Sequence, residues 1–140
     1  MSNIRELLVK EFENRLGELV SPNSIIDTLN VRINLINEEG KETIDALSDV
    51  RMEIAYSKFP RKETVAHLIK ELCDLQYVLS GTVTSLGLED IFEEAYRRVH
   101  ENNMTKVSGS IRIVNGKLMK PDDFKQVELG DLVEDVWSTN

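Results

Sequence analysis

Apolar residues recur at intervals of three and four along the first hundred residues, a spacing that places them on one face of an α-helix. Interruptions of this spacing indicate helices over about 3–16, 24–48, 63–86 and 89–103. The segment 49–59 is ambiguous, and Pro60 ends it. A chain of 140 residues has the length of one domain. The sequence therefore predicts an all-α bundle of four to five helices.

The ends of these helices carry their own signals. Asn3 with Glu6, and Ser24 with Asp27, have the spacing of residues that cap a helix start. Gly17 and Gly87 are expected to stop the first and third helices. The apolar stripes between these ends are expected to form the core, and their members are Ile4, Leu7, Leu8, Phe12, Leu16, Ile26, Leu29, Ile33, Ile36, Ile44, Leu47, Val65, Leu68, Ile69, Leu72, Val78, Leu79 and Val83.

After the last helix the pattern changes to two short apolar stretches, 111–114 and 117–120, on either side of Asn115-Gly116. Asn-Gly suits the positive φ angles of a tight turn, so a β-hairpin is expected here. We expect residues 1–107 to form the helical bundle and 108–140 a hairpin and tail of the same domain. The pattern does not determine the fold of the tail from Asp122 onward.

The composition restricts the classes of partner. The chain has 17 Lys and Arg against 25 Asp and Glu, a formal charge of −8, so a broad basic surface for nucleic acid is not expected. Its single cysteine, Cys73, permits no intramolecular disulfide and is expected to pack as a small hydrophobe. The sequence has no apolar run of membrane-spanning length and opens with no signal peptide. A cytoplasmic protein without a membrane partner is the expectation.

Two groups of carboxylates carry the strongest functional signal. Glu38, Glu39 and Glu42 lie within one turn of the second predicted helix, on the side opposite its apolar stripe. Glu71 and Asp74 are three residues apart on a later helix and share a face. If these helices pack antiparallel, all five groups converge, and a hard divalent cation would remove their mutual repulsion. Two solvated acidic faces are the alternative that the spacing leaves open.

Other carboxylate sites fit less well. A di-iron bundle needs Glu-x-x-His pairs, and neither histidine follows a glutamate by three positions. An EF-hand is excluded because no loop carries alternating Asp and Asn ligands around a central glycine. A non-catalytic acidic helical binding module remains an alternative to an enzyme.

The order of the two acidic groups resembles the signature of the all-α nucleoside triphosphate pyrophosphohydrolases. That superfamily includes MazG-type enzymes, dimeric dUTPases and phosphoribosyl-ATP pyrophosphohydrolase. Three more stretches are similar to its segments: the aspartate-to-glycine run 74–81, the His-x-x-Asn-Met-x-Lys segment 100–106 and the Gly-Lys-x-x-Lys-Pro segment 116–121. The resemblance extends from about Phe12 to Phe124. It departs from the superfamily at Glu13, where relatives often carry histidine, so no base contact is assigned to Glu13.

The resemblance implies a MazG-like bundle that holds Mg²⁺, or Mn²⁺, over a triphosphate. It assigns the metal-ligand role to Glu39, Glu42, Glu71 and Asp74, and makes Glu38 the acceptor of a proton from the attacking water. The implied reaction converts a nucleoside or deoxynucleoside triphosphate and water into the monophosphate and pyrophosphate, in a role such as clearing unwanted nucleotides. Phosphoribosyl-ATP hydrolysis and a dUTPase-like activity are the alternatives within the superfamily.

The same resemblance suggests the remaining contacts of the substrate. Asn103, Lys106 and Lys120 are the candidates for binding its phosphates. His100, Tyr77 and Phe12 are candidates for further substrate contacts, with packing in the core as the alternative for the two aromatic rings. Relatives are dimers or dimers of dimers, and a short helical chain buries limited area, so a homo-oligomer is expected.

Overall fold

The computed structural model describes residues 4–19, 24–57, 59–134 and 136. Within them the helices are α1 (Ile4–Leu19), α2 (Ile25–Ser57), α3 (Lys62–Ser85) and α4 (Glu89–Thr105). An antiparallel hairpin of β1 (Ile113–Val114) and β2 (Lys117–Leu118) follows, and then a 3₁₀ turn at Gly130–Leu132. The predicted all-α fold with a short C-terminal hairpin is confirmed. In this described part of the chain, no helix is both long and apolar enough to cross a membrane.

The helix ends agree with the sequence signals in part. The Ser24 hydroxyl accepts a hydrogen bond of 3.1 Å from the backbone N–H of Asp27, which confirms that start. The predicted stop at Gly17 is wrong, because α1 continues to Leu19. The ambiguous segment 49–59 belongs to α2 as far as Ser57, since no glycine or proline interrupts it before Pro60. The proposed cap at Asn3 lies outside the described residues.

A carboxylate of α2 fastens the start of α3. Glu53 accepts hydrogen bonds from the backbone N–H of Arg61 at 2.7 Å, from its guanidinium at 2.8 Å and from the Thr64 hydroxyl at 2.7 Å. The residue that precedes α3 forms no side-chain cap of its own, so Glu53 satisfies this end of the helix from the neighbouring one. These hydrogen bonds, the one from Thr64 foremost, lower the pKa of Glu53 to about 2.

Polar contacts also join α1 to the C-terminal half of α3. Glu13 accepts hydrogen bonds from the hydroxyls of Thr84 and Ser85, and one of its oxygens lies 3.8 Å from the Arg32 guanidinium of α2. Gly81 makes room for this arrangement: a Cβ at this position would lie 2.5 Å from a guanidinium nitrogen of Arg32. Arg32, Glu13 and Gly81 therefore form one packed contact among three helices.

The buried positions differ from the predicted core. Among the described residues, the buried apolar side chains are Val9, Ala46 and Val83. The prediction that the α1 stripe is buried is wrong, because Ile4, Leu7, Leu8, Phe12 and Leu16 are 42–67% exposed. The other predicted core residues that the structure leaves exposed are Ile26, Ile33, Ile44, Leu47, Ile69, Leu72 and Leu79, and Cys73 is exposed as well.

The physical reason lies in how the helices meet. Small or polar side chains at the contacts, such as Thr43, Ala46, Ser80 and Gly81, let the backbones approach closely. Three helices offer too few neighbours to cover a broad apolar stripe on each of them. The larger apolar side chains are therefore left on the outer faces of this single chain.

The chain forms two compact units, which divide between Leu86 and Gly87. The first contains α1, α2 and α3, and the second contains α4, the hairpin and the tail. In the second unit Arg98 of α4 holds the tail through hydrogen bonds of 2.7 and 2.8 Å to the Asp131 carboxylate. The sequence-based division after residue 107 stays a prediction.

The turn of the hairpin has the predicted form. Asn115 and Gly116 have φ angles of 51° and 75°, the left-handed values that an Asn-Gly pair adopts readily. In the hairpin that this turn closes, Ile113 pairs with Leu118 and Val114 pairs with Lys117. The hairpin prediction is confirmed.

We predict that Glu53→Gln lowers the melting temperature at pH 7 by about 4 °C, because a charged helix cap becomes a neutral one. The folded pKa of about 2 lies below the ordinary 4.5, so the stabilisation is complete above pH 4.5 and is lost as the pH falls towards 2. Thermal melts by circular dichroism should show the difference from wild type narrowing below pH 4.5. The exposed Asp45→Asn on the same helix is the control, and a difference that does not depend on pH would contradict this role.

Candidate metal centre

Three carboxylates meet where α2 packs against α3. Glu39 and Glu42 of α2 and Glu71 of α3 each offer one oxygen, and these three atoms lie within 4.8 Å of one another. We call Glu39, Glu42 and Glu71 the acidic cluster. The antiparallel packing of the two helices therefore brings together three of the five carboxylates that the sequence analysis names, from positions distant in sequence.

A threonine at the same level connects the two helices. The Thr43 hydroxyl lies 2.7 Å from the backbone carbonyl oxygen of Glu39 and 3.2 Å from that of Glu71. The hydroxyl shares its single proton between these two carbonyl oxygens, and Thr43 is 5% exposed, so the contact is shielded from water. This contact links the backbones of both helices at the point where the carboxylates converge.

The acidic cluster is poorly neutralised by the chain itself. Glu71 is 3% exposed, and one oxygen each of Glu39 and Glu71 is buried without a hydrogen-bond partner among the residues that the structure describes. Burial, followed by the charges of Glu42, Asp74, Glu71 and Glu38, raises the pKa of Glu39. Desolvation and repulsion therefore both oppose the ionised state of this group.

Lys70 supplies one positive charge to this region. Its ammonium lies 2.7 Å from an Asp74 oxygen and 3.2 Å from a Glu71 oxygen. Hydrogen bonds to Asp74 and then Glu71 raise the pKa of Lys70. His67 Nε2 is 3.7 Å from the same Glu71 oxygen. Both ion pairs of Lys70 are with carboxylates of α3.

The donor set fits a hard divalent cation. Carboxylate oxygens are the ligands that Mg²⁺ and Mn²⁺ prefer, and an ion at the cluster would satisfy the unpartnered oxygens of Glu39 and Glu71. It would also remove the repulsion that raises the pKa of Glu39. Asp74 and Glu38, the other two predicted members, act on the charge of Glu39 without belonging to the closest group of three.

The two aromatic candidates lie at the surface of the first unit. Phe12 of α1 and Tyr77 of α3 form an edge-to-face pair, with ring centres 5.8 Å apart. Their exposed fractions are 53% and 42%, so packing in the core is not their role in this chain. Tyr77 follows Asp74 by three residues, which places it about one helical turn beyond that carboxylate.

In the second unit the candidates for phosphate binding gather around one ring. Lys106 donates a hydrogen bond of 2.9 Å to the Asn103 side chain, and its ammonium lies 5.3 Å from the centre of the Phe124 ring. The Lys120 ammonium lies 5.4 Å from the same ring centre. The predicted Asn103, Lys106 and Lys120 thus share one neighbourhood, while His100 is exposed on α4.

A cleft lies next to the acidic cluster in the α2–α3 pair. Its volume is about 490 Å³, and its lining residues are Asp49, Met52, Glu53, Arg61, Glu63, Thr64 and His67. His67 connects the cleft to Glu71. The lining contains no Phe, Tyr or Trp ring, and its Glu53 is already bonded to Arg61 and Thr64.

Sequence reasoning missed two residues at this site. Lys70 precedes Asp74 by four residues, the spacing of a helical ion pair, and that signal could have identified it. The Thr43 contact depends on how α2 meets α3 and has no signal in the sequence.

Comparison with known families agrees with this geometry. A model of the phosphoribosyl-ATP pyrophosphohydrolase family matches residues 9–103. The matched stretch includes all five predicted carboxylates and ends before Lys106 and the hairpin. The resemblance to the all-α nucleotide pyrophosphohydrolases that the sequence motifs indicate is confirmed. A search of curated proteins finds no match to the chain.

We predict that Glu39→Gln raises the melting temperature of the metal-free protein at pH 7 by about 3 °C, because it removes a half-buried charge that its neighbours repel. A folded pKa above the ordinary 4.5 means that this penalty is absent at low pH and grows as the pH rises. Thermal melts in a chelator from pH 4 to 8 measure the effect. A variant that is less stable than wild type at pH 7 would contradict the placement of Glu39.

Proposed function

The chain belongs to the phosphoribosyl-ATP pyrophosphohydrolase family, part of the MazG-like all-α superfamily, and from this premise we propose that it hydrolyses nucleoside triphosphates with a divalent cation. The proposed products are a nucleoside monophosphate and pyrophosphate. The observation that carries the proposal is the acidic cluster at the α2–α3 contact, with its unpartnered oxygens of Glu39 and Glu71. Clearing unwanted nucleotides in the cytoplasm is the role we propose for this activity.

In this proposal Glu39, Glu42, Glu71 and Asp74 hold Mg²⁺ or Mn²⁺. When bound, such an ion neutralises phosphate oxygens and makes the phosphorus easier to attack. Glu38 lies on the exposed side of α2, next to the cluster, and accepts a proton from the attacking water. A bond forms between the water oxygen and phosphorus, and the anhydride P–O bond breaks to release pyrophosphate. No covalent intermediate with the protein is needed.

The other predicted residues would bind the rest of the substrate. Asn103, Lys106 and Lys120 bind phosphate oxygens in this proposal, and the shared neighbourhood of the two ammonium groups around Phe124 supports it. Phe12 and Tyr77 contact the base, which their exposed rings allow. His100 is a further contact, supported by its exposure on α4 and its place in the His-x-x-Asn-Met-x-Lys segment.

Phosphoribosyl-ATP is the second candidate substrate, because the matching family carries that activity in its name. Its hydrolysis uses the same carboxylates and the same bond cleavage, so the acidic cluster supports both substrates equally. A dUTPase-like preference would be a narrower form of the first proposal. The candidate substrates share the hydrolysed bond and differ in the base and the groups attached to it.

The test is a screen of the purified protein against the common and modified nucleoside triphosphates, deoxyuridine triphosphate and phosphoribosyl-ATP. Each reaction contains Mg²⁺ or Mn²⁺, and chromatography identifies the products. We expect a monophosphate and pyrophosphate in equal amounts from at least one nucleoside triphosphate, and no turnover in a chelator. Turnover of phosphoribosyl-ATP alone would favour the second candidate, and no product from any substrate would favour a non-catalytic binding module.

We predict that Glu42→Ala and Asp74→Ala each lower the rate of pyrophosphate release by on the order of a hundredfold or more, because each removes a ligand of the catalytic ion. Circular dichroism checks that both variants keep their helices. Glu11→Ala removes an exposed carboxylate of α1 and serves as the matched control. Wild-type rates in both cluster variants would refute the assignment of the active site.

We also propose that the chain associates with copies of itself, as a dimer or a dimer of dimers. The support is the row of apolar side chains on α1, of which Ile4 is 67% and Leu8 53% exposed. Such a row of large apolar groups is typical of a surface that a partner covers. The outer faces of α2 and α3 carry further exposed apolar residues, so more than one surface is available for association.

Light scattering at micromolar concentration should give a mass near two or four times the 16.0 kDa of the chain. Leu8→Lys, which places a charge in the apolar row of α1, should shift the protein towards the monomer. Glu11→Gln on the same helix should leave the mass unchanged. A monomeric wild-type protein would contradict the proposed association.

A further inference from the structure

We propose that Lys70 is an exchangeable counter-ion of the metal centre: it holds Glu71 and Asp74 when no divalent cation is bound, and it leaves them when one binds. This inference rests on the metal centre of the proposed function. It adds a residue that competes with the cation for the same carboxylates, and that therefore sets the cation concentration at which the centre fills.

The contacts of Lys70 have the form expected of a stand-in for a metal ion. Its ammonium touches one oxygen of Asp74 at 2.7 Å and one of Glu71 at 3.2 Å, and so bridges two of the proposed ligands. Like a metal ion, it is a compact positive charge that attracts carboxylate oxygens without a fixed planar geometry. Lys70 holds one oxygen of Glu71, and the other oxygen of that carboxylate is buried without a hydrogen-bond partner among the described residues. A divalent cation on this second oxygen would lie close enough to the ammonium for strong mutual repulsion.

The charge distribution favours the exchange. Among the described residues, the ion pairs at this centre place Lys70 on Glu71 and Asp74, and Glu39 keeps a buried oxygen without a hydrogen-bond partner. One ammonium therefore offsets one of the two negative charges of Glu71 and Asp74, and the repulsion of Glu39 by these carboxylates remains. A divalent cation at the acidic cluster contacts both helices and relieves the repulsion that Lys70 leaves in place.

Because Lys70 lies at the surface, little free energy is needed to move its side chain away from Glu71 and Asp74. Lys70 is 62% exposed, whereas Glu71 is 4% exposed at its side chain. The lysine can thus swing into water on its flexible four-carbon stem while the buried carboxylate stays in place. The exchange needs a rotamer change of Lys70 and no movement of α2 or α3.

The experiment measures Mn²⁺ binding by calorimetry at low ionic strength in wild type and three variants. Lys70→Gln removes the competing charge, and we expect its Mn²⁺ dissociation constant to fall by about tenfold. Lys70→Arg keeps the charge and should stay within about threefold of wild type. Lys62→Gln makes the same change in net charge at an exposed position of α3, and should bind Mn²⁺ as wild type does.

Melting temperatures supply a readout that a purely structural role would not move. Lys70→Gln should melt below wild type in a chelator, and that deficit should disappear in saturating Mn²⁺, because the cation replaces the lost ammonium. An equal deficit in both conditions, or unchanged or weaker Mn²⁺ binding by Lys70→Gln, would overturn the exchange while leaving the metal centre intact. Failure of wild type and every variant to bind Mn²⁺ would overturn the metal centre itself, and the exchange with it.

Discussion

The structure depends on one unfavourable arrangement, in which α2 packs against α3 with carboxylates facing each other across the contact. Glu39, Glu42 and Glu71 place oxygens within 4.8 Å of one another, and burial adds to the repulsion at Glu39. Thr43 holds the backbones of both helices at this level, and Glu53 fastens the start of α3 about three turns further along α2. The fold thus maintains, with polar contacts between helices, a concentration of charge that a divalent cation would neutralise.

The same helices show a second consequence of close packing. Small or polar residues such as Ala46, Ser80 and Gly81 occupy the contacts, and the larger apolar side chains face outward. A single chain of this kind buries little apolar surface. Association of copies would cover the outer faces and add the hydrophobic burial that the single chain lacks. The polar α2–α3 contact and the proposed association thus have one cause, because small and polar residues at the contact leave the large apolar side chains on the outside.

Local chemistry made part of this structure predictable. Ser24 and the Asn115-Gly116 turn act through neighbouring residues. The spacing of Glu39 and Glu42 needs only helical geometry to place them on one face, and the antiparallel packing of α2 and α3 brings Glu71 to them. The errors concern contacts between elements. The stripe that includes Leu8 has the periodicity of a core face and is exposed, because periodicity does not say what covers a helix. Arg32 pairs with Glu13 through the space that Gly81 leaves, which no local rule reveals.

Anomalous diffraction from crystals grown with Mn²⁺ would test the central claim most directly, because it locates the ion without reference to turnover. We predict a strong anomalous peak within coordination distance, about 2.2 Å, of carboxylate oxygens of Glu39, Glu42 and Glu71. Density for the Lys70 ammonium should then lie away from Glu71. Crystals that hold Mn²⁺ at other surface carboxylates and none at the acidic cluster would contradict the placement of a metal centre between α2 and α3.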